Sequence, residues 1–369
     1  MSFTVAVLKE SRPGERRVAM VPALLPRLAK LGAQLRVQAG AGEASSLPDA
    51  AYAGATVCAD AAEAVAGADL VLAVQAPPLA VVRAMRPGSV LAGLLYADKA
   101  PGLLEALQAG GITAFAMEKV PRISRAQALD ALSSQAALAG YYAPLLGAVL
   151  LPRILPMMTT AVGSLRAGRV LVMGLGVAGL QALATAHRLG AITEGYDVRP
   201  ETREQAQSVG AKFVDTGIDA RGEGGYAREL NEEERAKAAQ VLTQHIQQAD
   251  LIITTANVPG RRAPTLIDAA QIAGMKSGAV IVDLAADSGG NCEGTVPGET
   301  VQVGPATIAA PFNVPSHLAQ HASELYAKNL LALLDLLVRD GALAPDYDDE
   351  VVAGTLLCRV VPVPNPAGA

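Results

Sequence analysis

Val170-Leu171-Val172-Met173 runs straight into Gly174-Leu175-Gly176-Val177-Ala178-Gly179, and Gly179 to Leu189 reads as a helix stopped by Gly190. A buried strand, a glycine loop and a helix in that order leave few folds open. The first glycine permits a tight turn, the second lets a pyrophosphate approach the backbone, and the third lets helix and strand pack closely. The helix N-terminus adds unpaired N–H groups and a partial positive charge. The next strand, Ala191 to Tyr196, ends at Asp197, 18 residues beyond Gly179, where a ribose-binding carboxylate belongs. The expectation is a dinucleotide site carried by Gly174, Gly176, Val177, Ala178, Gly179, Asp197, Val198 and Arg199. Asp197 favours NAD(H), because a carboxylate repels a 2′-phosphate; Arg199 and Arg203 work against that repulsion.

The surrounding sequence is built twice. Ala68-Asp69-Leu70-Val71-Leu72-Ala73 leads to Pro77-Pro78, and Ala249-Asp250-Leu251-Ile252-Ile253-Thr254 leads to Pro259-Gly260. Met85-Arg86-Pro87-Gly88-Ser89-Val90-Leu91 is matched by Met275-Lys276-Ser277-Gly278-Ala279-Val280-Ile281. The offsets, 181 and 190 residues, are too long for a solenoid and fit two βαβ-built domains. Each strand is a continuous apolar run, as a parallel strand covered on both faces requires. Further strands are expected at Thr4–Leu8 and Ala33–Gln38, with a helix at Pro22–Leu31. Ser124 to Leu151 reads as one long joining helix with Ser124 as its N-cap, and Pro315 to Arg339 as another long helix. The fold class is α/β, with two Rossmann-like, doubly wound parallel-sheet domains joined by long helices. Residues 1–132, completed by 312–369, form the first domain, and 133–311 the nucleotide-binding one. Val351 to Ala369, with Pro362, Pro364 and Pro366, reads as an arm.

Composition narrows the function. Thirty basic against 35 acidic residues give a net charge of −5, so no basic excess exists to neutralise a nucleic acid. Cys58, Cys292 and Cys358 lie far apart without CxxC spacing and read as reduced, packed thiols. Met1 to Glu10 lacks the pattern of a signal peptide. Ala143 to Leu165 is apolar except for Arg153, but Pro144, Pro152 and Pro156 are spaced to break a spanning helix; a buried helix ending near Leu151 is expected instead. Leu330 to Val338 is short and carries Asp335. No direct membrane span is expected.

A dehydrogenase needs a general acid or base, and a cation where its substrate is a carboxylate. His187 and His245 sit on helices and read as surface or satisfied residues. His317 and His321 form an i, i+4 pair without a carboxylate-rich partner, so no metal site is expected. What stands out instead is Arg122, Arg125, Gln127, Asp130, Ser133, Ser134 and Gln135. Amides and hydroxyls that neither shuttle protons nor attack suit the holding of a nicotinamide carboxamide.

Arg122-Ile123-Ser124-Arg125-Ala126-Gln127 through Asp130, with Leu132-Ser133-Ser134-Gln135 and Ala139-Gly140-Tyr141, resembles the NAD(H)-binding alpha-subunit family of proton-translocating nicotinamide nucleotide transhydrogenase. So do Asp197-Val198-Arg199-Pro200, Gly224-Gly225-Tyr226-Ala227, and Val282-Asp283-Leu284-Ala285 with Gly289-Gly290-Asn291. The wider superfamily includes alanine dehydrogenase, which shares Lys9-Glu10 and Glu15-Arg16-Arg17-Val18-Ala19. Alanine dehydrogenase uses a lysine where this chain has Gln75, and a histidine near Leu95-Tyr96-Ala97-Asp98, where none stands. Direct transfer between two nicotinamides needs neither group. The resemblance implies hydride transfer from NADH to NADP held by a partner subunit, coupled to proton translocation by membrane-spanning subunits. It places Arg122, Gln127, Asp130 and Ser133 at the nicotinamide end, with Asp130 and Ser133 at the carboxamide and Gln127 facing the incoming NADP domain. Tyr226 would lie in a mobile loop, Gly217 to Arg228, that closes over the site. A homodimer, cytoplasmic and peripheral on the inner face of the cell membrane through its partners, is also implied. The alternatives are an NAD-dependent amino-acid dehydrogenase and a nucleotide-sensing module without turnover.

Overall fold

The computed structural model describes residues 2–221, 228–257 and 261–360. The chain divides into two units, Met1–Gln135 with Ser316–Ala369, and Ala136–Pro315. These bounds fall three and four residues beyond the ones expected at 132 and 311.

The first unit holds β1 (Phe3–Val7), β2 (Ala33–Gln38), β3 (Thr56–Cys58), β4 (Leu70–Gln75), β5 (Val90–Leu94) and β6 (Thr113–Ala116). All six run parallel. The second opens with an exposed hairpin, β7 (Met158–Thr160) and β8 (Gly163–Leu165). Its main sheet comprises β9 (Arg169–Met173), β10 (Ile192–Tyr196), β11 (Lys212–Phe213), β12 (Leu251–Thr254), β13 (Ala279–Asp283), β14 (Thr300–Val303) and β15 (Ala306–Ala309). The chain returns to the first unit with a small ribbon, β16 (Val338–Arg339) and β17 (Ala342–Leu343), and then β18 (Leu356–Cys358).

The strand orders are β18-β6-β5-β4-β1-β2-β3 and β11-β10-β9-β12-β13-β15-β14. Each is a doubly wound, Rossmann-like sheet whose order reverses beside its first strand, at β1/β4 and at β9/β12. Alternation accounts for the apolar runs. Val5, Val7, Leu70 and Leu72 enter one core layer of the first unit, while Ala6, Val71 and Ala73 enter the layer on the opposite face. Leu171 and Ile252 likewise face one way in the second unit, and Val170, Val172 and Ile253 the other. Both faces are covered, so no polar alternation survives in the sequence.

Three expectations need correction. The joining segment is not one helix from Ser124: a 3-10 helix spans Ser124–Leu129, and the α-helix runs from Ala131 to Leu150. Ser124 is not the cap; Asp130, at the break, accepts the N–H of Ser133 at 2.9 Å. The α-helix continues through Pro144 and stops before Pro152. Pro315–Arg339 resolves into a 3-10 turn at Val314–Leu318 and an α-helix at Ala319–Leu337, which covers one face of the first sheet. The C-terminal stretch is no simple arm. Asp349 caps a helix at Glu350–Thr355, and β18 then pairs antiparallel with β6. Pro362, Pro364 and Pro366 lie outside the described residues. Among the described residues no helix is long and apolar enough to cross a membrane.

Candidate functional site

The glycine loop sits at the carboxyl end of β9, beside the reversal of strand order. Gly174 adopts φ +94°, which a side chain would strain. A Cβ on Gly179 would stand 1.8 Å from the Gly174 carbonyl oxygen, so only glycine lets the helix start this close to the strand. A Cβ on Gly176 would meet nothing within 4 Å. That open backbone is where a pyrophosphate could approach. Gly176 caps the helix Val177–Arg188, whose first-turn N–H groups have no intrahelical acceptor. At that end Val177 is exposed and Ala178 half-buried. The loop therefore fits a dinucleotide. Thr255, at the end of β12, closes it from the other side by donating its hydroxyl to Gly174 O at 2.8 Å. No sequence motif singled out Thr255, because its role depends on β12 pairing with β9.

Asp197 is 8% exposed and densely bonded. One oxygen accepts the N–H of Leu175 at 2.7 Å, fixing the loop. Arg199 donates its backbone N–H and its Nε to the other oxygen, at 2.9 and 2.8 Å, and its Nη2 to the first, at 2.7 Å. The acid therefore anchors the loop, and its charge is paired. Val198, between the two, is half-buried. Behind the same strand, Glu194 accepts from Arg169 and pairs with Nδ1 of His245, so that histidine is a satisfied helix residue.

The Arg-Gln-Asp segment belongs to the first unit. Ala126 and Leu129 point into its core, while Arg122 and Gln127 are exposed. Asp130 accepts the hydroxyl of Ser133 at 2.5 Å as well as its N–H, so these two residues form one polar corner at the start of the α-helix. Within the second unit, that helix crosses the phosphate-loop helix so closely that a Cβ on Gly140 would lie 2.1 Å from Ala178 O.

A buried polar node lies where β1 and β4 end. Glu10 accepts the N–H groups of Val74 and Gln75 at 2.6 and 3.2 Å. Burial, reinforced by the nearby Glu15, pushes its carboxyl up to about 7. Burial would also raise Glu15, but the Arg17 guanidinium, bound through Nε at 2.8 Å and Nη2 at 2.6 Å, holds it at about 2. Ser316 donates to Glu15 at 2.7 Å, and Gln75 Nε2 does so at 3.1 Å. Arg17 in turn donates to Gln135 at 2.9 Å. The sequence singled out Gln75 only as a missing lysine; here its amide completes a closed network. Tyr96, in the segment without a histidine, holds a left-handed φ of 38° and donates its N–H to Glu118.

Tyr226 and the glycines at 222, 224 and 225 lie outside the described residues. Among the described residues no group of three or more His, Cys, Asp or Glu could hold a metal ion.

Two family models cover nearly the whole chain: "Alanine dehydrogenase/PNT, N-terminal domain" over residues 6–139 and "Alanine dehydrogenase/PNT, C-terminal domain" over 143–363. An NAD(P) transhydrogenase subunit alpha chain of Rhodospirillum rubrum is 44% identical over 376 residues, covering 98% of each chain. The alanine dehydrogenase of Mycobacterium tuberculosis is 32% identical, over 79% of this chain and 75% of its own. The crystal structure of transhydrogenase from Sinorhizobium meliloti superposes with a TM-score of 0.87 at 43% identity, covering 97% of this chain and 99% of that one.

Proposed function

Because the chain belongs to the alanine dehydrogenase/PNT family, we propose that it is the NAD(H)-binding subunit of a proton-translocating transhydrogenase. One observation carries this over amino-acid oxidation: the phosphate loop is intact, while Gln75 replaces the lysine and Leu95–Asp98 holds no histidine. The nicotinamide supplies the hydride when it is bound, and NADP on a partner subunit receives it. This chain's residues have only to hold and aim. The loop from Gly174 to Gly179 binds the pyrophosphate, with the N-terminal end of its helix countering the charge. Asp197 keeps that loop in place and, with Val198 and Arg199, serves the adenosine end. Asp130 and Ser133 offer an acceptor and a hydroxyl suited to a carboxamide. Exposed Gln127 and Arg122 are the side chains a docking partner can reach.

The partners under this reading are an NADP-binding subunit and membrane-spanning subunits that couple transfer to proton translocation. The chain is then cytoplasmic and peripheral on the inner face of the cell membrane. We assign it a homodimeric state as well. The hairpin region supports this, with Met157 72% and Val162 99% exposed, apolar surface that a second copy would cover. The test combines the purified chain, loaded with NADH, with an NADP-loaded partner subunit, and follows hydride transfer by absorbance. Transfer that requires both chains is expected; none in the presence of a competent partner would overturn the reading.

A further inference from the structure

The segment that carries Gln127 and Asp130 is short, and its 3-10 turn ends at Leu129. Two residues from distant parts of the chain hold it. Asn329, on the helix Ala319–Leu337, is 7% exposed. Its Nδ2 donates to the carbonyl of Ala128 at 2.8 Å. Its Oδ1 accepts the hydroxyl of Ser134 at 2.8 Å. The two bonds fix which way the amide faces, since the Ala128 carbonyl can only accept. Asn329 thus spans the break in the chain: Ala128 precedes Asp130, and Ser134 follows it on the first turn of the α-helix. Arg125 supplies a second tie, a two-pronged pair with Asp349 at 2.6 and 2.9 Å. Asp349 also caps the last helix through the N–H groups of Val351 and Val352.

We propose that Asn329 is a positioning residue for hydride transfer, bridging Ala128 and Ser134 so that Gln127 and Asp130 keep the geometry the reaction needs. This rests on the functional reading above. The logic is geometric. Gln127 is exposed and lies one residue from the clamped carbonyl, so a turn left free at Ala128 would let it wander. Misplacement by about 1 Å can cost on the order of 100-fold in rate. The core contacts of Ala126 and Leu129 keep the segment attached, and the turn's own bonds, Ala126 N–H to Ile123 O and Asp130 N–H to Gln127 O, shape it, while the Ala128 carbonyl between them is held by Asn329. The side-chain bonds of Asn329 run to Ala128 and Ser134, neither of them a residue assigned to the phosphates, so affinity for NADH should hardly depend on it.

The test uses Asn329→Asp and Asn329→Leu in the full chain with its partner subunit. Asn329→Asp is nearly isosteric, but a carboxylate oxygen would face the Ala128 carbonyl in place of a donor. Single-turnover hydride transfer should fall by about tenfold or more, while NADH affinity, read by fluorescence, changes less than about twofold. Lowering the pH should restore the Asn329→Asp rate relative to unaltered protein, because a protonated carboxyl can again donate to Ala128. Asn329→Leu should not recover. If Asn329→Asp does not fold, Ser134→Ala removes the hydroxyl that orients the amide, and a smaller fall in rate at constant affinity is expected. Transfer at the unaltered rate in the variants would overturn the proposal. So would a loss of NADH affinity that matches the loss of rate, which marks a structural role only. Failure of the unaltered chain to transfer hydride overturns the functional reading, and the positioning role with it. A slow Gln127→Asn beside an unaffected Asn329→Asp overturns the positioning role alone.

Discussion

The carboxylate of Asp197 accepts the backbone N–H of Leu175 at 2.7 Å, so the acid at the end of β10 holds the glycine loop at the end of β9. The same carboxylate is paired with Arg199. Under the proposed reading, anchoring and nucleotide choice would both reside in this one side chain. Asp197→Ala should weaken NADH binding by about tenfold or more, since a charge-assisted bond to a buried N–H contributes roughly 1.5–3 kcal/mol. It should also narrow the preference over NADPH, because Arg199 would be released from its pair and free to meet a 2′-phosphate. Parallel titrations with NADH and NADPH check both. An unaltered chain that binds NADPH as tightly as NADH would sink the assignment.

Gln127 separates binding from transfer. Its side chain is exposed, and its contact to a docked partner would exist mainly when both nucleotides are present. Such a contact acts on the transition state and little on ground-state affinity. Gln127→Asn shortens the reach by one methylene, so hydride transfer should fall on the order of 100-fold with NADH affinity nearly unchanged. Asp130→Asn should be milder, since an amide oxygen can still accept from Ser133 and from a carboxamide. Stopped-flow transfer paired with NADH titration reads both; an unaffected Gln127→Asn would reduce the segment to a helix start.

Much of this was legible in the sequence because buried parallel strands leave a simple signature. The apolar runs at Leu70 and Leu251 located corresponding strands in the two sheets, and the tight turn at Gly174 and the close packing at Gly179 were readable from the loop's glycine spacing. What escaped notice depends on tertiary pairing. The break at Asp130 is invisible to periodicity, since a 3-10 turn running into an α-helix keeps nearly the same apolar spacing. β18 was hidden by the prolines after it, although Leu356–Cys358 itself is an ordinary short strand. Thr255 and Asn329 carry no local motif at all, and Lys9-Glu10 with Glu15-Arg16-Arg17 showed a shared segment but not the node it builds; each matters through a partner 60 or more residues away.

Gln75 bears on the choice between transhydrogenation and amino-acid oxidation. Its Nε2 donates to Glu15, which already binds Arg17, so the position contributes hydrogen-bond completion and no cation. The chain alone should therefore not reduce NAD with alanine or a 2-hydroxy acid above background. Installing the cation by Gln75→Lys should also fail, because the ammonium would pair with Glu15 and Leu95–Asp98 still lacks a histidine. Absorbance at the NADH band during incubation with alanine checks this. Reduction by the unaltered chain at ordinary dehydrogenase rates would favour the amino-acid dehydrogenase.

Glu10 and Glu15 pull the stability of the first unit in opposite directions with pH. Glu10 titrates at about 7 in the folded chain against 4.5 when unperturbed, so between those values the native state keeps a proton that the unfolded chain gives up. Stability from this group falls as pH rises, and the loss is complete above about 7. Glu15 titrates at about 2 against 4.5, so its contribution is present above 4.5 and lost as pH falls through about 2. One proton can tilt stability by at most about 1.4 kcal/mol per pH unit. Glu10→Gln keeps an oxygen for the Val74 N–H and removes the ionisation. Urea unfolding at about pH 5.5 and about pH 8 should show the unaltered chain losing more stability than Glu10→Gln across that interval. Equal losses would mean that Glu10 is ionised at both, and that its carboxylate is a permanent clip on the end of β4.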